Sequence, residues 1–557
     1  MDFYKLINNE QKRSSELIND EIKETEGMSN QYLTFGTGGM RGLLGSGNNR
    51  INIHTIRRAA VGIALYIRNS GENAMKRGVV IAFDTRQYSQ EFARETAKVI
   101  GNFGIRVYLF KENRPTPELS FSVRYLGAFA GVVITASHNP PQYNGIKVFG
   151  EDGGQLTSTA TTAISDYMDD IKDLLSIQYA DENELINSKG LTYILEEVDE
   201  AYQKYLLTLR EDPGVIEKYG NNLSIVYTAL HGTGLIPVKK GLQNFGFSNI
   251  SIVQKQSVQD PNFSTVLTPN PEEPSTFSMA IQLGKQRHAD ILMATDPDGD
   301  RLGVAVQKNS DEYKILTGNQ LGVLLLHYIL LQKEKKGVLP KNGVLLKTIV
   351  TSEFGRAVAM KFGIKTIDTL TGFKYIAEKI EEIKKSNEHV FLFGYEESLG
   401  YLIGDYIRDK DGVQAALLTA EMATFYKSQG KSLYEVLHEL YDEFGHYREA
   451  LKTISLIDRE GQNILNRIMS IRDNLPNSIA GLSILAFEDY QNRSIYKRDG
   501  SIECLSLPRA NVVKIVLEEG SWIGIRPSGT EPKCKFYFGV RKATELDADR
   551  TINKIER

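Results

Sequence analysis

Three aspartates at alternating positions, Asp296, Asp298 and Asp300, lie between apolar runs at 291–295 and 302–306. A buried strand that ends in three carboxylates carries a self-repulsion which folding alone would not retain. A divalent cation removes it, and ligands offering only oxygen point to a hard ion such as Mg²⁺. Pro297 and Gly299 supply the tight turn that lets alternate side chains converge on one point. A solvated acidic turn is the competing reading. An EF-hand is excluded, because Arg301 stands where that loop needs glycine and Gln307 where it needs a bidentate glutamate.

A cation of this kind needs a group to act on. The apolar run 131–134 ends abruptly in Thr135-Ala-Ser-His-Asn-Pro140, and reactive loops of open α/β sheets collect at the carboxyl ends of strands. Ser137 is the candidate nucleophile, with His138 beside it and Lys147 following within reach. Ala136 and His138 flank the serine, so the G-x-S-x-G elbow of hydrolases is absent. A capped polar turn remains the alternative at this point.

At 557 residues the chain is too long for one core, and several domains are expected. A net charge of −4 gives no reason to invoke nucleic acid or an anionic membrane. The two cysteines, Cys504 and Cys534, form no C-x-x-C pattern, which fits a reducing, cytoplasmic setting. No basic segment followed by an apolar stretch opens the chain, so no secretory signal is read there. The apolar run 321–331 contains His327 and is too short to span a bilayer.

Strands and helices alternate over most of the chain. The run 79–83 reads as a buried strand closing in Asp84-Thr-Arg86, and Ser89 as the cap of a helix burying Phe92, Thr96, Val99, Ile100 and Phe103. Strands follow at 106–110 and 130–135. The pattern recurs with strands at 223–229 and 250–253 around a helix at 238–245, and again with strands at 344–347 and 390–393. From about residue 448 the alternation changes, with strands at 522–526 and 535–540 and a terminal helix at 546–557 in which the chain stops. This predicts three similar doubly wound α/β domains, 1–207, 208–313 and 314–447, followed by a smaller α+β domain, 448–557.

Two further loops combine groups suited to sugar phosphates. Arg526-Pro-Ser-Gly-Thr-Glu-Pro-Lys533 joins a guanidinium and two hydroxyls to a glycine turn whose N–H groups can cradle an anion. Gly394-Tyr-Glu-Glu-Ser398 follows a strand and offers acceptors and donors that match ring hydroxyls. Taken alone, each is also an ordinary polar turn.

Together these motifs, in this order, resemble the α-D-phosphohexomutase family, which includes phosphoglucomutases and phosphomannomutases. The loop around Ser137 is similar to its phosphoserine loop, 296–301 to its metal loop, 394–398 to its sugar loop and 526–533 to its phosphate loop. The resemblance implies four domains around one cleft, a phosphorylated Ser137, and Mg²⁺ held by that group with Asp296, Asp298 and Asp300. It assigns Lys147, aided by His138, as general base and Arg41 to the phosphoserine side. Arg301, Thr371, Gly372, Glu396, Ser398 and Lys410 become substrate residues, and Arg526, Ser528, Gly529 and Thr530 hold the phosphate remote from Ser137. Tyr395 stands where many members carry glutamate, which leaves the exact sugar open. The implied reaction interconverts a hexose 1-phosphate and its 6-phosphate through glucose 1,6-bisphosphate, with mannose or pentose phosphates as alternatives. A metal-dependent phosphatase and a catalytically silent sugar-phosphate sensor are the rivals from other classes.

Overall fold

The computed structural model describes residues 32–36, 38–309, 312–455, 476–527 and 533–556, with 463, 465, 466 and 469–472. Ser528, Gly529 and Thr530 lie outside the described residues. The first sheet contains β1 (Met40–Leu43), β2 (Val79–Phe83), β3 (Val107–Phe110), β4 (Ala130–Ile134), β5 (Tyr143–Phe149) and β6 (Leu191–Ile194), in the order β1-β5-β4-β2-β3-β6. Its centre is parallel, and β2 and β4 are buried at every position, as strands covered on both faces must be.

The second sheet joins β7 (Ile225–Thr228), β8 (Ile250–Ile252), β9 (Ile291–Thr295), β10 (Leu302–Asn309) and β11 (Glu312–Ile315), in the order β11-β10-β9-β7-β8. The third joins β12 (Gly343–Thr348), β13 (Lys365–Thr369), β14 (Val390–Glu396) and β15 (Gly400–Leu402), in the order β13-β12-β14-β15.

The three sheets share a device absent from a purely parallel α/β fold. The last parallel strand of each turns back through a short loop into an antiparallel neighbour, β4 into β5, β9 into β10 and β14 into β15. Those three hairpin connections are the loops that carry Ser137, the aspartates and Glu397-Ser398. A hairpin leaves its loop between two ladders, which restrains it more than a strand-to-helix crossover does.

The fourth sheet is antiparallel. It contains β16 (His446–Ser455), β17 (Ser478–Ile479), β18 (Leu482–Asp489), β19 (Ser494–Lys497), β20 (Ile502–Cys504), β21 (Val513–Leu517), β22 (Trp522–Pro527) and β23 (Lys533–Lys542). The helix Glu545–Ile555 packs on β23 and β16. It closes with Glu556 as C-cap, short of the expected end, and Arg557 lies outside the described residues.

Other particulars differ from expectation. The boundaries placed at 313 and 447 fall inside β11 and β16. Ser89 does not cap the helix Ser89–Asn102. Tyr88 does, in a left-handed conformation, while Ser89 Oγ donates to the buried carboxylate of Asp84 at 2.6 Å. A carboxylate without water demands every donor in reach, and that demand outweighs the capping preference. The first three units also share a core, beside clusters confined to the first and to the second. One hydrophobic cluster runs through Phe121, Tyr202, Val238, Leu324 and Leu417. It takes in the helix Gly412–Lys427, mostly apolar and buried at every residue but its last. Among the described residues no helix is long and apolar enough to cross a membrane.

Candidate active site

Ser137 sits one turn beyond β4 with φ of 53°, a left-handed conformation that a non-glycine residue keeps only when its surroundings impose it. The restraint is visible. The Ser137 N–H donates to Thr135 Oγ1 at 2.8 Å. Arg86, buried after β2, donates to the carbonyls of Ser137 and Asn139 (both 2.5 Å), Pro140 (2.8 Å) and Tyr143 (3.0 Å). Asp84 lies 3.3 Å from Arg86 Nε, and the Phe263 ring lies 5.0 Å from the guanidinium carbon. Burial draws the Arg86 pKa down to about 10, with Asp84 opposing the shift, so the group stays charged at neutral pH. Sequence reasoning ended a strand at Asp84-Thr-Arg86 and gave Arg86 no role. The signal was its place in a polar loop at the carboxyl end of a strand.

The aspartate loop meets this serine from the second sheet. Asp296, Asp298 and Asp300 are buried, and one oxygen from each lies within 4.8 Å of the others. Gly299, at φ 67°, closes the turn, donating its N–H to the Asp296 carbonyl at 3.0 Å. Burial and the two neighbouring carboxylates push Asp296 well above the usual carboxylate range. Asp300 goes the other way: burial would raise it, but Lys147, Lys410 and Arg301 hold it down. Asp298 Oδ1 and Asp300 Oδ1 are buried without a hydrogen-bond partner. Three convergent carboxylates with orphaned oxygens, and no nitrogen or sulfur donor among them, fit a hard divalent cation.

Cations already crowd the cluster. Lys147 Nζ lies 2.7 Å from Asp298 Oδ2 and 3.1 Å from Asp300 Oδ2, and Lys410 Nζ lies 3.2 Å from the same Asp300 oxygen. Burial would lower the Lys147 pKa, yet Asp298 and Asp300 raise it, so in this arrangement it is an ammonium paired with acids. His138 Nδ1 is 3.2 Å from Ser137 Oγ, and burial, with Arg301 and Arg41 nearby, pushes its pKa well down. A neutral imidazole beside the serine oxygen can accept a proton.

The third sheet contributes the opposite wall. Glu396 ends β14, and burial pushes its carboxyl up to about 7 against the pull of Lys410. Thr371 and Gly372 follow β13, and Gly372 takes φ of 117° to start the helix Phe373–Ser386. Arg41 Nε, Arg301 Nε and Thr371 Oγ1 are buried donors without partners. Donors left this way suit an oxygen-rich ligand. From the fourth domain, Arg526 on β22 pairs with Lys535 on β23. Lys374 and Lys535 both have lowered pKa values, from burial first and with Arg526 adding repulsion. Among the described residues this cationic corner is less compensated than the aspartate corner, where the Lys147 pKa is raised.

One cleft of about 580 Å³ joins these walls. It is lined by Arg41, Ser137, His138, Lys147, Asp300 and Arg301, by Thr371, Gly372, Glu396, Ser398 and Lys410, and by Arg526. Asp296 and Asp298 lie behind it. Lys374, Lys535, Glu397 and Asn319 also line it and were not singled out as site residues. Tyr395 is a correction. Its side chain is fully buried, with a ring edge where a Cβ on Gly322 or Gly355 would stand, and it does not line the cleft. Successive strand residues face opposite sides, so Glu396 points in and Tyr395 points away. The residue that left the sugar open does not reach the cleft.

Profiles of the phosphoglucomutase/phosphomannomutase family match in order: α/β/α domain I at residues 32–174, domain II at 200–309, domain III at 317–444 and the C-terminal domain at 476–549. A phosphoglucomutase of Staphylococcus haemolyticus is 40% identical over 510 residues, covering 91% of this chain and 90% of the relative. One from Staphylococcus aureus is 37% identical over 535 residues, covering 96% and 94%. Among solved structures, the phosphoglucomutase parafusin of Paramecium, in an open form, aligns with a TM-score of 0.66 at 16% identity, covering 95% of this chain and 99% of its own. An N-acetylphosphoglucosamine mutase of Aspergillus fumigatus, crystallised with GlcNAc-6P and magnesium, aligns with a TM-score of 0.51 at 12% identity, covering 94% and 95%. Four domain matches and such relatives over nine-tenths of the length leave one conclusion: this chain belongs to the phosphoglucomutase/phosphomannomutase family, phosphohexomutases that transfer a phosphoryl group within their substrate.

Proposed function

We propose that this enzyme interconverts glucose 1-phosphate and glucose 6-phosphate, with Ser137 as phosphoryl carrier and glucose 1,6-bisphosphate as the intermediate. The observation that carries the reading is Ser137 Oγ, 2.8 Å from Asp296 in the cleft where cationic and sugar-binding walls converge. Glucose is favoured because relatives 37–40% identical over most of the chain are phosphoglucomutases. The cytoplasm is the proposed location, consistent with two free cysteines.

In this reading Asp296, Asp298 and Asp300 hold Mg²⁺ together with the phosphate on Ser137. When bound, the cation would withdraw charge from that phosphoryl group and, by engaging Asp298 and Asp300, free Lys147 to act as a base. Lys147 takes the proton of the sugar hydroxyl that attacks phosphorus. The bond from phosphorus to Ser137 Oγ breaks, and that oxygen takes up one proton, matching the one Lys147 has removed from the sugar. The neutral His138 beside it is a relay that gives one proton and regains one. Arg41 and Arg301 supply charge on the side where the phosphoryl group moves. Arg526, with Ser528, Gly529 and Thr530, binds the phosphate that is not being transferred, and Lys374 and Lys535 add to its field. Glu396, Ser398 and the Thr371-Gly372 turn grip the ring between the two phosphates, and Lys410 bridges the halves.

A substrate panel of hexose and pentose 1-phosphates, primed with glucose 1,6-bisphosphate and followed by ³¹P NMR, tests this. Conversion of glucose 1-phosphate to the 6-phosphate with the highest kcat/KM is expected. Net release of inorganic phosphate as the main product would replace the mutase with a phosphatase.

A further inference from the structure

Asp298 is held from a domain other than its own. Its Oδ2 accepts from Thr116 Oγ1 at 3.0 Å, and its backbone carbonyl accepts from the Thr116 N–H at 2.8 Å. Thr116 is fully buried and opens the helix Thr116–Tyr125, in the unit that carries Ser137 and 182 residues from Asp298. The turn is gripped elsewhere too. Thr233 donates through N–H and Oγ1 to the Pro297 carbonyl at 2.8 and 2.9 Å, and the Gly412 N–H donates to the Gly299 carbonyl at 3.2 Å. A Cβ on Gly299 would meet Pro115 at 2.8 Å, so the start of the same helix lies directly on the loop. Of these three grips, Thr116 alone reaches a carboxylate.

We infer that Thr116 is a positioning residue for the metal site, fixing which oxygen of Asp298 is turned to the cation. The inference rests on reading the three aspartates as a divalent-metal site. The terminal torsion of aspartate is broad, so an unrestrained carboxylate can present either oxygen or both. Here Oδ2 is occupied by two donors and Oδ1 by none. The donors differ in kind. The Lys147 ammonium competes with a cation for the same negative charge and must give way to it. The Thr116 hydroxyl is neutral and does not compete. Its backbone is bonded to the Asp298 carbonyl and its side chain is fully buried, so the hydroxyl is held close to the carboxylate. Thr116 thereby ties Asp298 to the domain of the nucleophile, so that the ion and Ser137 share one frame. Removing an outer partner of a metal ligand weakens the metal by about 10- to 100-fold.

The test measures metal binding and needs no turnover. Mn²⁺ is titrated into the dephosphorylated full-length chain with free ion followed by electron paramagnetic resonance, and Mg²⁺ is measured by competition. Thr116→Val keeps the shape and removes the hydroxyl, and should raise the Kd by about 10- to 100-fold. Thr116→Ser restores the donor and should bind within about threefold of the parent. Should Thr116→Val not fold, Thr116→Ala against Thr116→Ser gives the same comparison. Parent-like affinity without the hydroxyl, or equal weakening in Val and Ser, overturns the inference. Asp298→Asn serves as the control. If it too bound like the parent, the metal-site reading itself would fall, an outcome distinct from a failed clamp.

Discussion

Ser137 Oγ donates to Asp296 Oδ2 at 2.8 Å across 159 residues of chain, so the loop after β4 meets the loop after β9 directly. Both residues are buried, and in the proposed function their oxygens meet where the phosphoryl group and the cation would be held. Ser137→Ala should therefore lose turnover by several orders of magnitude while still binding hexose phosphate. Steady-state rates primed with bisphosphate, with a binding titration on the same protein, check both halves. Rates near the parent's would remove Ser137 from the reaction.

Arg86 makes the second prediction. One guanidinium holds four carbonyls of the serine loop, and lysine can reach only part of that set. Arg86→Lys should lower kcat by about 10- to 100-fold with little change in KM, because a loop displaced by about 1 Å misdirects the reacting oxygen. A change confined to KM would mean that Arg86 acts on substrate binding and not on the loop.

Chelation should abolish activity, and Mg²⁺ should restore it in the parent but not in Asp298→Asn. Three buried carboxylates pressed together also predict that the ion raises the thermal midpoint of the parent. Full activity after exhaustive chelation would take the metal out of the mechanism.

Glu421 offers a prediction about pH and stability away from the site. Its Oε1 accepts from the Glu211 and Asp212 N–H groups and from Tyr328, while Oε2 is buried without a partner. Burial pushes this carboxyl up to about 7 from an ordinary 4.5. The folded chain then holds the proton longer than the unfolded one. Stability is full below about pH 4.5, declines as pH rises to about 7, and stays lower above that. The deficit is on the order of 3–4 kcal/mol. Glu421→Gln should match the parent's thermal midpoint near pH 4.5 and exceed it at pH 8. Identical midpoints at pH 8 would show that Glu421 carries no such penalty.

How much of this was legible in the sequence follows from the range of each interaction. The Ser137, Asp296–Asp300 and Glu396 loops are local events: an apolar strand, then polar residues whose chemistry has no use in a core. The most apolar strands of the three α/β sheets were equally readable, to within a few residues. The strands β5, β6, β13 and β15 and most strands of the fourth sheet before β22 were not, because their mixed composition gives no clear apolar run. Arg86 and Thr116 were not, because each gains its meaning from a partner 51 or 182 residues distant. Ser89 misled for another reason: Asp84 is only five residues away, but the burial that makes its carboxylate claim the hydroxyl does not show in a capping pattern. Tyr395 misled through neglect of strand alternation, which was available beside Glu396 and settles the side on which each lies.

The last prediction separates the remote phosphate from the chemistry. Arg526 lies on β22 beside Lys535, in the cationic corner of the cleft and away from the aspartates. Arg526→Ala should mainly raise KM for either hexose phosphate, since a charge-assisted contact to phosphate is worth about 1.5–3 kcal/mol, or roughly ten- to a hundredfold in kcat/KM. The bisphosphate carries a phosphate at each end, so the same corner must hold it in both orientations. Forward and reverse reactions should suffer alike, and more bisphosphate should escape before it returns its phosphoryl group to Ser137. Progress curves in both directions, with released bisphosphate measured by ³¹P NMR, distinguish the cases. If only one direction weakened and no bisphosphate leaked, the two orientations would not share this corner, and reorientation about a single remote phosphate site would have to be given up.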